Sequence, residues 1–176
     1  MNTNILIGNF IALLAAFIII YYGFEKNKKR ILIAQILECV LATCYNFFLK
    51  GYTALIVDIL NIFLLVLGFK EKLNFKNKLI INIVAIILAL KFNNLGIIGY
   101  IPIIVILIYS WGLNTKNIIK FKLLNMLLML LWIIHDLTVK SYPSVVCEFI
   151  GIIGSIYSIY KIKKLKLHPF IPECET

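Results

Sequence analysis

From residue 5 the chain runs ILIGNFIALLAAFIIIYY without a charge, and comparable apolar runs recur along its length. A helix needs around 20 apolar residues to cross a hydrocarbon layer of about 30 Å. Polar punctuation between the runs predicts seven helices, over 4–22, 31–49, 52–69, 78–92, 95–113, 119–139 and 143–160. The fourth is built on LIINIVAIILAL and is short. It spans only if Lys78 and Lys91 carry their ammonium groups out to the two interfaces.

The first run is flanked by MNTN before it and GFEKNKKR after it. A secretory signal has the opposite polarity, with positive charge first and a small-residue cleavage site afterwards. A retained first span with its N-terminus outside is therefore expected.

Composition agrees with a bilayer as solvent: 62% of the residues are hydrophobic and 15% charged, against roughly 45–50% and about 25% in soluble domains. The chain reads as an all-α, multi-pass membrane protein. Placement of the 18 Lys and Arg decides the number of crossings, because cytoplasmic loops hold the excess of positive charge. With seven spans, all but Lys50, Lys91 and Lys140 fall on one side. Without the fourth crossing the split drops to 10 against 8. Seven spans put the C-terminus in the cytoplasm. The basic loops then read as topology determinants and contacts for anionic membrane lipids. Nothing interleaves aromatics with them as nucleic-acid binding would require, so no nucleic-acid partner is expected.

Cys39, Cys44, Cys147 and Cys174 have no C-x-x-C spacing and only His135 and His168 to join them. Free thiols packed among helices are expected, with no metal site, no disulfide framework and no cofactor.

The chain also repeats. Setting CYNFFLKGYTALIVDIL from residue 44 above IHDLTVKSYPSVVCEFI from residue 134 aligns polar positions at an offset of 90. Asn46 meets Asp136, Lys50 meets Lys140, Tyr52 meets Tyr142 and Asp58 meets Glu148. Upstream, Arg30 meets Lys120 and Gln35 meets Asn125; Gly23 meets Gly112 at an offset of 89. The pattern predicts a first three-helix repeat over 1–70, a linker helix over 71–94, a second repeat over 95–163 and a cytoplasmic tail over 164–176. One intervening helix makes the repeats parallel, about a pseudo-two-fold axis along the membrane normal. Asp58 and Glu148 would then face each other at one depth.

Helical spacing gathers small and polar residues on single faces. The last helix carries Ser144, Glu148, Gly151, Ser155 and Ser158; the third, Ala54, Asp58 and Asn61; the sixth, Asn125, Trp132 and His135/Asp136. The second carries Glu38, Ala42 and Tyr45/Asn46, and the first Gly8, Ala12 and Ala15/Ala16. Small residues on such faces are explained by close helix packing. A carboxylate at the centre of a lipid-facing helix costs on the order of 3 kcal/mol or more, so acids there face a partner or a cavity. Asn46, Asp58, Asn61, Trp132, Asp136 and Glu148 are the candidate solute contacts. Glu38, Asp58, His135 and Glu148 are the candidate proton sites. Each has a plainer alternative: a packing hydrogen bond for the acids, a helix-end pair for His135 and Asp136, and space-filling for Trp132.

The segments WIIHD…KSYPSVVCE and YNFFLKGYTAL…ILN, with HPF after the last span, resemble the YgjV-type bacterial inner-membrane proteins along nearly the whole chain. That family is similar to the SWEET and semiSWEET sugar facilitators and to the PnuC-type vitamin transporters. The resemblance implies a 3+1+3 bundle with a solute site between repeats. The Pro-Gln signature of the sugar branch is missing, since neither Pro102 nor Pro143 precedes Gln. Tryptophan-rich walls of the vitamin branch are missing as well.

Two functions of different class remain open. One is a small-solute transporter working by alternating access, with proton coupling available to its paired acids. The other is a non-transporting interaction or regulatory protein using the basic face. An intramembrane enzyme is not expected, because no H-E-x-x-H or comparable nucleophile set occurs. The partners expected are a small polar solute and membrane lipids, with a homo-oligomer open to the bundle.

Overall fold

The computed structural model describes residues 3–167, with side chains as far as residue 164. The chain is all-α: α1 (Thr3–Phe24), α2 (Lys28–Phe48), α3 (Tyr52–Phe69), α4 (Phe75–Phe92), α5 (Ile101–Gly112), α6 (Ile118–Val139) and α7 (Tyr142–Leu167). A 3-10 turn, Ile98–Tyr100, precedes α5. Five helices, α1, α2, α3, α6 and α7, are long and apolar enough to cross a membrane. Of the expected tail over 164–176, residues 164–167 continue α7, and His168 and Cys174 lie outside the described residues. Cys39, Cys44 and Cys147 are free thiols.

Local chemistry explains the helix ends. The side chain of Asn27 accepts hydrogen bonds from the N–H groups of Lys29 and Arg30 at 2.9 and 3.4 Å, capping α2. Asn117 does the same for α6 through Ile119 and Lys120, at 2.9 and 3.3 Å. Such caps satisfy donors that the first helical turn leaves unpaired. α2 ends at Lys50 (φ 61°) and α6 at Lys140 (φ 63°), both left-handed. The N–H of Gly51 reaches the carbonyl of Asn46 at 2.9 Å, and that of Ser141 reaches Asp136 at 2.9 Å, the Schellman pattern of hydrogen bonding. Each of these pairs is separated by 90 positions.

α1 packs on α2 and α7, α2 on α3, α3 on α5, α5 on α6, and α6 on α7, so the contacts return to their start. α4 packs on α3 and α5. It buries only a narrow face, Lys78, Asn82, Ala85 and Ala89, and the Asn82 amide donates to Ser110 Oγ on α5 at 2.9 Å. A close backbone approach joins α1 to α7: a Cβ built on Gly23 would lie 2.7 Å from the carbonyl oxygen of Gly151.

The distribution of side chains is that of a lipid-solvated bundle. On α1 the residues turned inward are Gly8, Ala12, Ala15 and Ala16, while Phe10, Leu13, Phe17 and Tyr21 point outward. Small residues let the helices close together, and hydrocarbon solvates the bulky ones.

Three expectations change. α5 does not begin at residue 95: Asn93 accepts from the Leu95 N–H at 3.0 Å and donates to the Gly96 carbonyl at 2.8 Å, and Gly96 turns at φ 60°. Regular α-helix starts only at Ile101, with Pro102 in its first turn, where proline is tolerated. α7 continues past residue 160 to Leu167. Lys78 is buried rather than snorkelled, with its ammonium 5.5 Å from the centre of the Trp111 ring, a cation–π contact.

Candidate functional site

The faces predicted to be polar are the buried ones. Glu38 is half-buried on α2, while Asp58 and Asn61 on α3, Asn125 on α6 and Glu148 on α7 are each buried. Asp58 is 3% exposed and Glu148 4%. With Trp132 from α6, all of them line one cleft between the helices, completed by Tyr22, Tyr45, Tyr109, Gln35 and Cys39. The cleft holds a cavity of about 60 Å³, room for a few water molecules or a very small solute.

Gln35 and Asn125 stand 90 residues apart in sequence and meet here, the Gln35 amide donating to Asn125 Oδ1 at 3.4 Å. Tyr109 donates its hydroxyl to Gln35 Oε1 at 2.7 Å. Gln35 and Asn125 had been matched by the repeat without being assigned to the site. Tyr109 carries no polar neighbours at helical spacing that would have marked it.

The acids are held differently. Asp58 Oδ2 accepts from Asn46 Nδ2 at 2.9 Å. Glu38 Oε2 receives only a weak contact from the Cys39 thiol at 3.6 Å. Among the described residues, Glu148 Oε2 has no hydrogen-bond partner, and neither does Asn61 Oδ1. The position 90 beyond Asn46 is Asp136, whose carboxylate has no amide N–H to give Glu148.

Asn46, His135 and Asp136 are not on the cleft wall. Asn46 is fully buried and supports Asp58 from behind. His135 Nδ1 lies 3.0 Å from Asp136 Oδ1, with both side chains sealed from solvent. The Trp132 ring meets His135 edge to face at 5.3 Å between centroids, so Trp132 bridges the cleft and this pair.

At the end of the bundle carrying the α1–α2 and α5–α6 connections, two lysines cross between halves. Lys28 Nζ donates to the carbonyls of Leu113 and Thr115 at 2.6 and 2.7 Å. Lys122, 1% exposed, donates to Gly23 at 2.8 Å and Tyr22 at 3.4 Å. Each ammonium thus caps carbonyls that a helix C-terminus leaves free. At the opposite end Asn9 donates to the Lys140 carbonyl at 3.1 Å, and Asn94 to that of Lys50 at 2.7 Å. Sequence reading treated Lys28 and Lys122 as loop charges and gave no signal for these crossings.

Searches of the curated proteins and of the solved structures returned no match. The family described as bacterial inner membrane protein, Imp-YgjV, matches over residues 6–166. With nearly the whole chain covered, this multi-pass protein belongs to the Imp-YgjV family of bacterial inner membrane proteins.

Proposed function

We propose that this protein moves a small polar solute across the bacterial inner membrane by alternating access, two parallel units, α1–α3 and α5–α7, rocking about the central cleft. The observation that carries the reading is the convergence of Glu38 and Asp58 from one unit and Glu148 from the other on a single cleft. Buried acids in a lipid-solvated bundle are costly and mark solute or proton pathways. The equivalent caps, left-handed turns and buried amides 90 residues apart support two like units. α4 between them orients both the same way. Cross-unit contacts at both ends offer closures that can open in turn. In this reading the N-terminus is outside and the C-terminus cytoplasmic, because the basic end then faces the cytoplasm and its anionic lipids. One of the cleft acids serves as a proton carrier if transport is coupled.

The test is solute flux in proteoliposomes. Uptake above protein-free vesicles, abolished by Asp58→Asn with Glu148→Gln, is expected. Flux indifferent to that double change overturns the site. Tight co-purification with one protein partner, and a phenotype that follows the loop lysines instead of the buried acids, would favour an interaction protein.

A further inference from the structure

The cleft is acidic without a counter-charge. Glu38, Asp58 and Glu148 line it, and among the described residues no Lys or Arg does. The two lysines that do enter the bundle from its basic end, Lys28 and Lys122, are engaged on backbone carbonyls. Among the described residues, the cleft side-chain atoms that are sealed from solvent and lack a partner are acceptors: Glu148 Oε2 and Asn61 Oδ1. Asp58 already has the Asn46 amide. Four aromatic side chains, Tyr22, Tyr45, Tyr109 and Trp132, belong to the same walls.

A ligand that completes this set brings positive charge and N–H donors together. An anion would meet three carboxyls, and a neutral sugar would bring no positive charge to the unpartnered Glu148 oxygen. A bare metal ion fits poorly, since no three Asp, Glu, His or Cys side chains gather closely enough to hold one among the described residues. An ammonium group can donate to carboxylate and amide oxygens and gains from aromatic faces as well.

We propose that the cleft binds a small protonated amine, with Glu148 as its anchoring carboxylate and Asp58, Glu38 and Asn61 completing the shell. Asp58 is the less available acid because its own unit supplies it with an amide. The substitution of Asp136 for the second amide leaves Glu148 free for the ligand. This assignment rests on the cleft being the solute site of the transport reading.

The test uses the full chain in nanodiscs, with methylammonium, ethanolammonium and putrescine as probes and ethylene glycol and glycolate as neutral and anionic comparisons. Thermal stabilisation by at least one amine, and by neither comparison, is expected. Glu148→Gln should weaken that amine's apparent affinity roughly tenfold or more, and Glu38→Gln, which keeps the anchor, should weaken it less. Silence of all three amines, or equal response to ethylene glycol, overturns the proposal on the unmodified protein, where folding of a variant is not in question. Proteoliposome flux of the same probes separates the two readings. Amine binding without flux removes transport and keeps the ligand class. Flux of a neutral or anionic solute, with no amine binding, does the reverse.

Discussion

Lys122 reaches across the bundle to Gly23, its ammonium 2.8 Å from that carbonyl oxygen. Charge-assisted hydrogen bonds of this kind contribute about 1.5–3 kcal/mol, and removing the donor strands buried carbonyls. Lys122→Met keeps the length and apolar stem of the side chain and loses only the ammonium. A loss of about 2 kcal/mol in stability is expected, read as a lowered unfolding temperature in detergent. A variant as stable as the parent would show that the contact is incidental.

The same contact ties α6 to α1, so under alternating access its loss should bias the bundle open at that end. Cys39 lines the cleft and reports on this when Cys44, Cys147 and Cys174 are replaced by Ser. Alternating access predicts that a membrane-impermeant thiol reagent reaches Cys39 from both faces. Lys122→Met should speed labelling from the basic face. Labelling confined to one face in both proteins argues against rocking.

Glycine at position 23 is demanded by its neighbour. A Cβ there would lie 2.7 Å from the Gly151 carbonyl oxygen, and a backbone atom cannot swing aside as a side chain can. Gly23→Ala should separate α1 from α7 at a cost of about 1–3 kcal/mol. Thermal unfolding of the purified variant measures it.

Lys50 and Lys140 occupy left-handed turns, φ 61° and 63°, a region glycine adopts freely. Lys140→Gly should raise stability by up to about 1 kcal/mol, the gain from relieved backbone strain exceeding the added freedom of the unfolded chain. An unchanged or lowered midpoint would mean that the lysine stem contributes packing at the turn.

Outside the spans, Glu25 organises the α1–α2 turn. Its Oε1 accepts from the Lys26 and Asn27 N–H groups at 2.7 and 2.9 Å, Oε2 accepts from the Tyr21 hydroxyl at 3.1 Å, and Arg30 lies 3.7 Å away. Partial burial acts to raise its pKa, but these donors outweigh it and hold the carboxyl below its ordinary value. A depressed carboxyl stabilises the fold above its unfolded pKa, and that contribution is lost as pH falls through the lower folded value. Unfolding midpoints of the parent and Glu25→Gln should therefore differ at neutral pH and converge on acidification below about pH 4.

The helices and their polar faces were legible because bilayer crossing imposes length, and because an acid or amide inside lipid has to face inward. Ala12, Asp58 and Ser155 are buried as their spacing required. The α5 start was hidden because an apolar run does not reveal that Asn93 and Gly96 will fold the chain into a turn. Lys78 and Lys122 were misread because a lysine next to a loop looks the same whether its ammonium meets water, an indole ring or a helix end. The division of labour between Asp58 and Glu148 was written in the sequence as Asn46 against Asp136, but only the observed bond to Asp58 gave the difference meaning.

α7 has 26 residues, about 39 Å at 1.5 Å per residue, whereas the hydrocarbon layer is about 30 Å thick. Its final turns bear Lys161, Lys163 and Lys164, and ammonium groups are costly in hydrocarbon, so these turns are expected at phosphate level. That overhang fixes how deeply the whole bundle floats: sinking would drag ammonium groups into oil, and rising would pull the opposite end of the same rigid rod out of it. The cleft beside Glu148, carried on that rod, inherits a set distance from the membrane surface.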